Sequence, residues 1–135
     1  MAKRRRGARS ARVSHARHRP FEVLVERALA SIPMPFAAAL DDVAIVIADD
    51  PSAEQRRENE LAPDDTLYGL YEGVPRTEYG ADWSAAPNRI TLFRLPLEED
   101  FADPLELAEE VRITVIHELA HHLGIDDDRL DELGL

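Results

Sequence analysis

The sequence predicts one domain of the α+β class. Three short runs have the composition of β-strands, and two longer segments on either side of them carry apolar residues at helical spacing. A chain of 135 residues can bury one hydrophobic core but is too short for a second. The sequence contains no cysteine. Disulfides and thiolate metal sites are therefore excluded, and His, Asp and Glu remain as the strong metal ligands.

The net charge of −11 is unevenly distributed. Eight of the sixteen Lys and Arg residues lie within the first twenty positions, which contain no acidic residue, whereas the rest of the chain has eight basic and 27 acidic residues. Residues 1–19 hold only Val13 as a large apolar side chain beyond Met1. They bury too little surface to offset the entropy of ordering them, which predicts a disordered basic arm ahead of a domain over residues 20–135.

Two functions fit the basic arm. Its arginines can attract phosphate groups, which predicts a weak nucleic-acid contact through residues 1–19. Alternatively, the arm is a tail that only complements the acidic surface of the domain. The arm has no aromatic residues on which bases could stack, and this favours the tail.

The sequence contains no membrane-targeting pattern. Glu22, Glu26 and Arg27 follow the arm, so the apolar core of a secretion signal is missing, and no segment reaches the ~20 apolar residues of a membrane span. We therefore expect a soluble, cytoplasmic protein that does not contact membranes. The sequence does not predict the oligomeric state.

The first half of the domain is predicted to contain one helix and one strand. Phe21–Ala30 has an apolar face and a charged face, which is typical of an amphipathic helix. Val43–Ala48 is a continuous apolar run rich in β-branched residues, and we expect it to be the central strand. The charged stretch 49–65 is predicted to be a surface loop with one helical turn at 54–58.

The second half is predicted to contain two strands and two helices. Leu67–Tyr71 is interrupted by a glycine, which suits a short edge strand, and Arg89–Leu95 alternates apolar and polar residues up to a proline. A long helix is expected from the N-cap Asp103 to Gly124, because a proline follows the cap and Glu106 occupies the third helical position. Residues 126–133 can form one further short helix.

The end of the long helix carries a candidate metal site. His117 and His121 lie four residues apart, so their side chains are separated by ~40° around the helix axis and can share one ion ~2.0–2.1 Å from each ring. Glu118 lies beside them, and this His-Glu-x-x-His pattern is the signature of zinc peptidases of the zincin type. We therefore predict Zn²⁺ as the cofactor and Glu118 as the general base that activates a zinc-bound water.

A catalytic zinc usually has three protein ligands, and the third has to follow the motif. Gly124 permits the positive φ that ends the helix and returns the chain over its own terminus. This turn favours Asp127 as the third ligand. Asp126 or Asp128 would replace it if the turn differed by one residue, and both are otherwise predicted to cap a helix or face solvent.

The string from His117 to Asp127 resembles the extended zincin motif, in which the third ligand lies six residues after the second histidine and is Asp in the snapalysin-like peptidases. The segment 115–133 is still more similar to the bacterial zincin-like metallopeptidases called minimal zincins. The similarity extends back through 70–75 and 88–94. It implies a zincin-like fold over residues 20–135, in which a small mixed β-sheet packs against an N-terminal helix and a long active-site helix, with a short C-terminal helix.

The resemblance implies a zinc-dependent metallopeptidase that hydrolyses peptide or protein substrates. We expect the substrate to add to the edge of the Leu67–Glu72 segment. Only fourteen residues follow His121, which leaves little chain for the lower wall of a cleft and supports the alternative of an inactive, zinc-containing binding module. A nucleic-acid-associated protein that acts through the basic arm is the third candidate.

Several nearby residues have simpler interpretations. Glu118 would be a solvated helix residue or a hydrogen-bond partner if it were not the base. His122 lies ~140° around the helix from His117, so we predict a packing role for it rather than metal ligation. Tyr68, Tyr71 and Tyr79 are interpreted as packing residues rather than as stabilisers of an oxyanion.

Overall fold

A computed structural model describes the backbone of residues 2–5 and residues 19–73 and 88–134 in full. The strands are β1 (Ala2–Arg5), β2 (Ala44–Ala48), β3 (Asp65–Glu72) and β4 (Arg89–Phe93). The helices are α1 (Arg19–Ala30), α2 (Phe36–Ala39), α3 (Ala53–Glu58), α4 (Arg94–Asp100), α5 (Pro104–His122) and α6 (Asp127–Glu132), and a 3₁₀ turn spans Leu40–Asp42.

The strands form one mixed sheet in the order β1-β3-β4-β2. Strand β2 runs parallel to β4, with Ala44 opposite Arg89, whereas β3 is antiparallel to both β4 and β1. Helix α5 packs on β3 and β4, and α1 packs on α5. The α+β class with a small mixed sheet and a long helix against it is therefore confirmed.

The hydrophobic core lies between α5, α1 and the sheet. Val111, Val115 and Leu119 recur along one face of α5 and are completely buried, together with Ile90 and Leu92 of β4. Phe21, Val25 and Ala28 of α1 cover the same cluster, as the predicted amphipathic helix requires. A second, smaller cluster contains Leu67, Leu70 and Phe93. Of the helices in the described ranges, none combines the length and apolarity needed to cross a bilayer.

The positions of two strands differ from the prediction. Strand β2 was expected at the centre but lies at an edge of the sheet, and Val46 in it is 40% exposed. Strand β3 was expected at an edge but lies between β1 and β4. Composition identifies a strand, whereas its place in the sheet depends on pairing between distant segments. Gly69 does not break β3; its missing side chain leaves room for Thr114 of α5.

Two helical segments were not predicted. The strand expected to run to Leu95 ends at Phe93, and α4 begins at the next residue with Pro96 in its first turn. Proline is tolerated there because the first N–H groups of a helix have no intrahelical partner. Helix α2 and the adjoining 3₁₀ turn also lie in a segment with no strong periodicity. The predicted turn at 54–58 is confirmed as α3, whose Ser52 forms a capping box with Gln55.

The basic arm contains one unexpected element. Residues 2–5 form β1, which pairs with β3, although the composition of the arm predicted disorder over residues 1–19. Residue 19 already belongs to α1. Residues 6–18 lie outside the described part of the chain. Backbone pairing requires no apolar side chains, so hydropathy gives no indication of a strand here.

Candidate metal centre

Helix α5 brings three residues of the motif to its C-terminal end. The side chain of Asp103 caps its start by accepting a hydrogen bond from the Glu106 N–H at 3.1 Å, and Pro104 is the first helical residue, as predicted. The helix continues for 19 residues to His122. His117 and His121 lie one turn apart; the His121 side chain is exposed and that of His117 is half-buried, whereas Glu118 between them faces the sheet.

A glycine turn returns the chain toward the two histidines. Gly124 has a φ of +78°, the Ile125 N–H donates to the Ala120 carbonyl at 2.8 Å, and the Gly124 N–H donates to the His121 carbonyl at 3.2 Å. These two bonds form a Schellman motif, in which the left-handed residue is most easily glycine. Helix α6 then begins with Asp127 in its first turn, so the predicted reversal is observed.

The reversal brings Asp127 close to both histidines. Its Oδ1 lies 3.6 Å from Nδ1 of His117 and 3.7 Å from Nε2 of His121. Two ligand atoms of a tetrahedral zinc ion lie about 3.4 Å apart when each is ~2.1 Å from the metal. Within the described residues, no three His, Asp or Glu side chains already meet the geometry of a metal site. The imidazole and carboxylate donors fit zinc chemically, and the two distances from Asp127 exceed the ligand spacing by a few tenths of an ångström.

The two neighbouring aspartates have different surroundings. The Asp126 side chain accepts a hydrogen bond from the Arg129 N–H at 2.9 Å and so caps α6, as predicted for it. Asp128 is exposed. The register of the turn therefore favours Asp127 over its two neighbours as the carboxylate nearest the histidines.

Glu118 is 2% exposed, which excludes a solvated helix residue. Its Oε1 accepts a hydrogen bond from the backbone N–H of Tyr71 at 2.9 Å. The carboxylate therefore joins α5 to β3 directly beside the candidate metal ligands. The contribution of Tyr71 is not predicted from the sequence, because a backbone donor leaves no signal in residue type.

The residues predicted to have packing roles include His122, Tyr68 and Tyr71. His122 stacks on the Tyr71 ring with the centroids 4.3 Å apart and the planes at 22°, so its predicted packing role is confirmed. Burial raises the pKa of the Tyr71 hydroxyl. The Tyr68 hydroxyl donates to Asp100 Oδ2 at 2.6 Å and its ring packs on Phe101, which confirms a packing role there. Tyr79 lies outside the described residues.

Comparison with known proteins identifies the family. The sequence profile of the zincin-like metallopeptidases matches residues 40–135, which include the sheet strands β2 to β4, helix α5 and the histidine motif. The chain belongs to the zincin-like metallopeptidase family. No curated protein sequence matches this chain.

A solved structure shares the zincin-like fold of this chain. It is a conserved hypothetical protein from Thermus thermophilus, with a TM-score of 0.51 and 23% identity, and the match covers 80% of this chain and 94% of that one. This similarity concerns the fold alone.

The pKa of one further acidic residue, Glu110, is influenced by the histidine motif. Glu110 lies two turns before His117 on α5. Partial burial raises the pKa of the Glu110 carboxyl, and a positive charge on His117 opposes this shift. Its position was not singled out from the sequence, because half-burial of one glutamate on an exposed helix face depends on the packing around it.

Proposed function

We propose that this chain is a zinc-dependent metallopeptidase whose metal ligands are His117, His121 and Asp127. The observation that carries the proposal is the convergence of these three donors at the end of α5, with the buried Glu118 beside them. Family membership agrees with this assignment. The bound zinc would act as a Lewis acid that polarises the scissile carbonyl and lowers the pKa of water.

Glu118 is the proposed general base. Its carboxylate would take a proton from the attacking water and deliver it to the leaving amine. The hydrogen bond from the Tyr71 N–H, at 2.9 Å, orients the carboxylate and occupies one of its oxygens. Tyr71 is in this scheme a positioning residue that acts through its backbone.

The proposed substrate is an extended peptide that adds to β3. The Tyr71 N–H points away from β4, because it donates to Glu118 rather than to the neighbouring strand. A peptide paired with this outer edge would run past Glu118 at the end of α5. Strand addition supplies main-chain hydrogen bonds that do not depend on the sequence of the substrate.

The second candidate is a zinc-containing binding module. It is favoured by the same hydrogen bond, since a buried glutamate that joins α5 to β3 also has a purely structural role. The two candidates differ in turnover. A binding module would keep zinc and peptide affinity without cleaving any substrate.

Digestion of a peptide library separates the candidates. Wild type should cleave, metal-depleted protein should not, and Glu118→Gln should lose at least ~10²-fold in rate because an amide cannot accept the proton. Glutamine keeps the oxygen that accepts from Tyr71, so zinc content and thermal stability should stay close to wild type. Glu109→Gln is the matched control, because it makes the same change on α5 at an exposed carboxylate that pairs with Arg112 at 2.8 Å.

The outcomes distinguish the two functions. Cleavage by wild type and the control, with loss in Glu118→Gln, supports the peptidase. If neither wild type nor the control cleaves any peptide while both hold zinc, the binding module replaces it. Equal rates for wild type and Glu118→Gln would remove the base assignment.

A further inference from the structure

The chain's own amino-terminal segment pairs with the proposed substrate strand. Strand β1 runs antiparallel to β3, with Ala2 opposite Gly69 and Arg5 opposite Asp65. Strand β4 takes the other edge of β3, from Gly69 to Glu72. Strand β1 therefore lies on the outer edge, and Ala2 is its end nearer to Tyr71 along β3.

The outer edge of β3 near the candidate metal centre is also contacted by other parts of the chain. N–H groups point to alternate sides along a strand, so those of Gly69 and Tyr71 face the same edge. Gly69 is opposite Ala2 on that edge, and the Tyr71 N–H is held by Glu118. From Asp65 to Gly69, a peptide can add to β3 only if β1 leaves.

The charge of β1 is opposite to the net charge of the rest of the protein. Three of the four β1 residues are basic, namely Lys3, Arg4 and Arg5. Beyond the first twenty positions the chain has 27 acidic and eight basic residues. Such an excess of negative charge attracts a cationic strand at long range and gives less attraction to neutral or acidic strands.

We propose that β1 is an intramolecular occupant of the substrate edge of β3, and that this edge selects extended segments rich in Lys and Arg. The inference rests on the proposed function for the identity of the edge. The arm then acts as a competitor that a basic substrate has to displace. Because β1 is tethered, its effective concentration is high, and it lowers the apparent affinity for any peptide added in solution.

Two proline substitutions in the full-length chain test whether β1 occupies the outer edge of β3. Lys3→Pro with Arg4→Pro removes two consecutive N–H groups, one of which faces β3 whatever the register. Lys3→Ala with Arg4→Ala is the matched control, because it removes the same two charges and keeps both N–H groups. Amide exchange measured by NMR should be faster around Gly69 in the proline variant than in wild type. The alanine control separates the effect of the lost N–H groups from that of the lost charges. Unchanged exchange in β2 and β4 reports that the fold persists.

Peptide binding tests the selectivity. A fluorescent peptide with the sequence of residues 2–7 should bind the proline variant at least about tenfold more tightly than wild type, if β1 is paired in about nine molecules of ten in wild type. A peptide with Glu in place of each Lys and Arg should bind neither. Mass spectrometry of the peptide after each titration shows whether it was cleaved.

These readouts do not require turnover, so they fail independently of the peptidase proposal. Equal exchange around Gly69 in the proline variant and wild type would overturn the occupancy. Equal affinity of the proline variant and wild type for the basic peptide would overturn the competition, and equal binding of the basic and acidic peptides would overturn the charge selectivity. Absence of cleavage in every variant would refute the peptidase alone.

Discussion

Gly69→Ala tests the packing that holds Glu118 against β3. A Cβ added at Gly69 would lie 2.6 Å from the Thr114 Cγ2 methyl on α5. Carbon atoms in ordinary contact lie ~3.5–4.0 Å apart, so the helix and strand would have to separate by about 1 Å. Overpacking of this kind destabilises the folded state by ~1–3 kcal/mol. The Gly-to-Ala change also lowers the entropy of the unfolded chain, which offsets only ~0.4–1 kcal/mol. The free energy of unfolding should therefore fall by about 1–2 kcal/mol.

Thr114→Ser supplies the second arm of a double-mutant cycle, because it deletes the methyl group that clashes and keeps the hydroxyl. Thr114→Ser alone should lower the free energy of unfolding by about 1 kcal/mol, because the methyl contacts are lost. In its presence, Gly69→Ala should no longer destabilise, and the coupling should be at least ~1 kcal/mol. Chemical denaturation of all four proteins measures these terms. Gly73→Ala is the control for stability, since the atoms nearest to its added Cβ lie in the side chains of Asn88, at 2.5 Å, and Tyr71, at 3.0 Å, and none of them belongs to α5.

The same cycle has a functional readout. Separation of α5 from β3 would lengthen the Tyr71 to Glu118 hydrogen bond, so Gly69→Ala should also lower peptide cleavage, and Thr114→Ser should restore it. Strict additivity of the two stability changes would show that Gly69 and Thr114 are not in contact. The account of how β3 and α5 fix Glu118 would then be wrong.

Three other predictions address the metal, the pH dependence and the arm. Replacing His117 by alanine should abolish tight zinc binding, and Asp127→Ala should weaken it more than Asp128→Ala, as measured by metal analysis after dialysis. Because the raised pKa of Glu110 makes its charged form costly in the folded state, Glu110→Gln should be more stable than wild type at about pH 7. Denaturation from about pH 7 to about pH 4 should show this advantage shrinking as wild-type Glu110 takes up its proton. Any binding of single-stranded DNA should require residues 1–19 and fall on the order of 10³-fold between about 50 and 200 mM salt, which filter binding can follow.

Local chemistry in the sequence determined much of α5 and the turn after it. Asp103, Pro104 and Gly124 each satisfy a requirement of a helix end that involves only neighbouring residues. The register from His121 through Gly124 to Asp127 follows from the same local geometry. These short-range rules were sufficient to select Asp127 as the carboxylate that approaches both histidines.

The tertiary structure decided the order of the strands and the environment of Glu118. The apolar run of β2 predicted a strand, but pairing between distant segments places it at an edge and β3 inside the sheet. The contact of Glu118 with Tyr71 joins residues 47 positions apart through a backbone N–H, which every residue except proline carries. The pairing of β1 with β3 is likewise a backbone interaction across the chain. Sequence alone therefore specified the helix ends and the motif, whereas long-range backbone pairing determined what surrounds them.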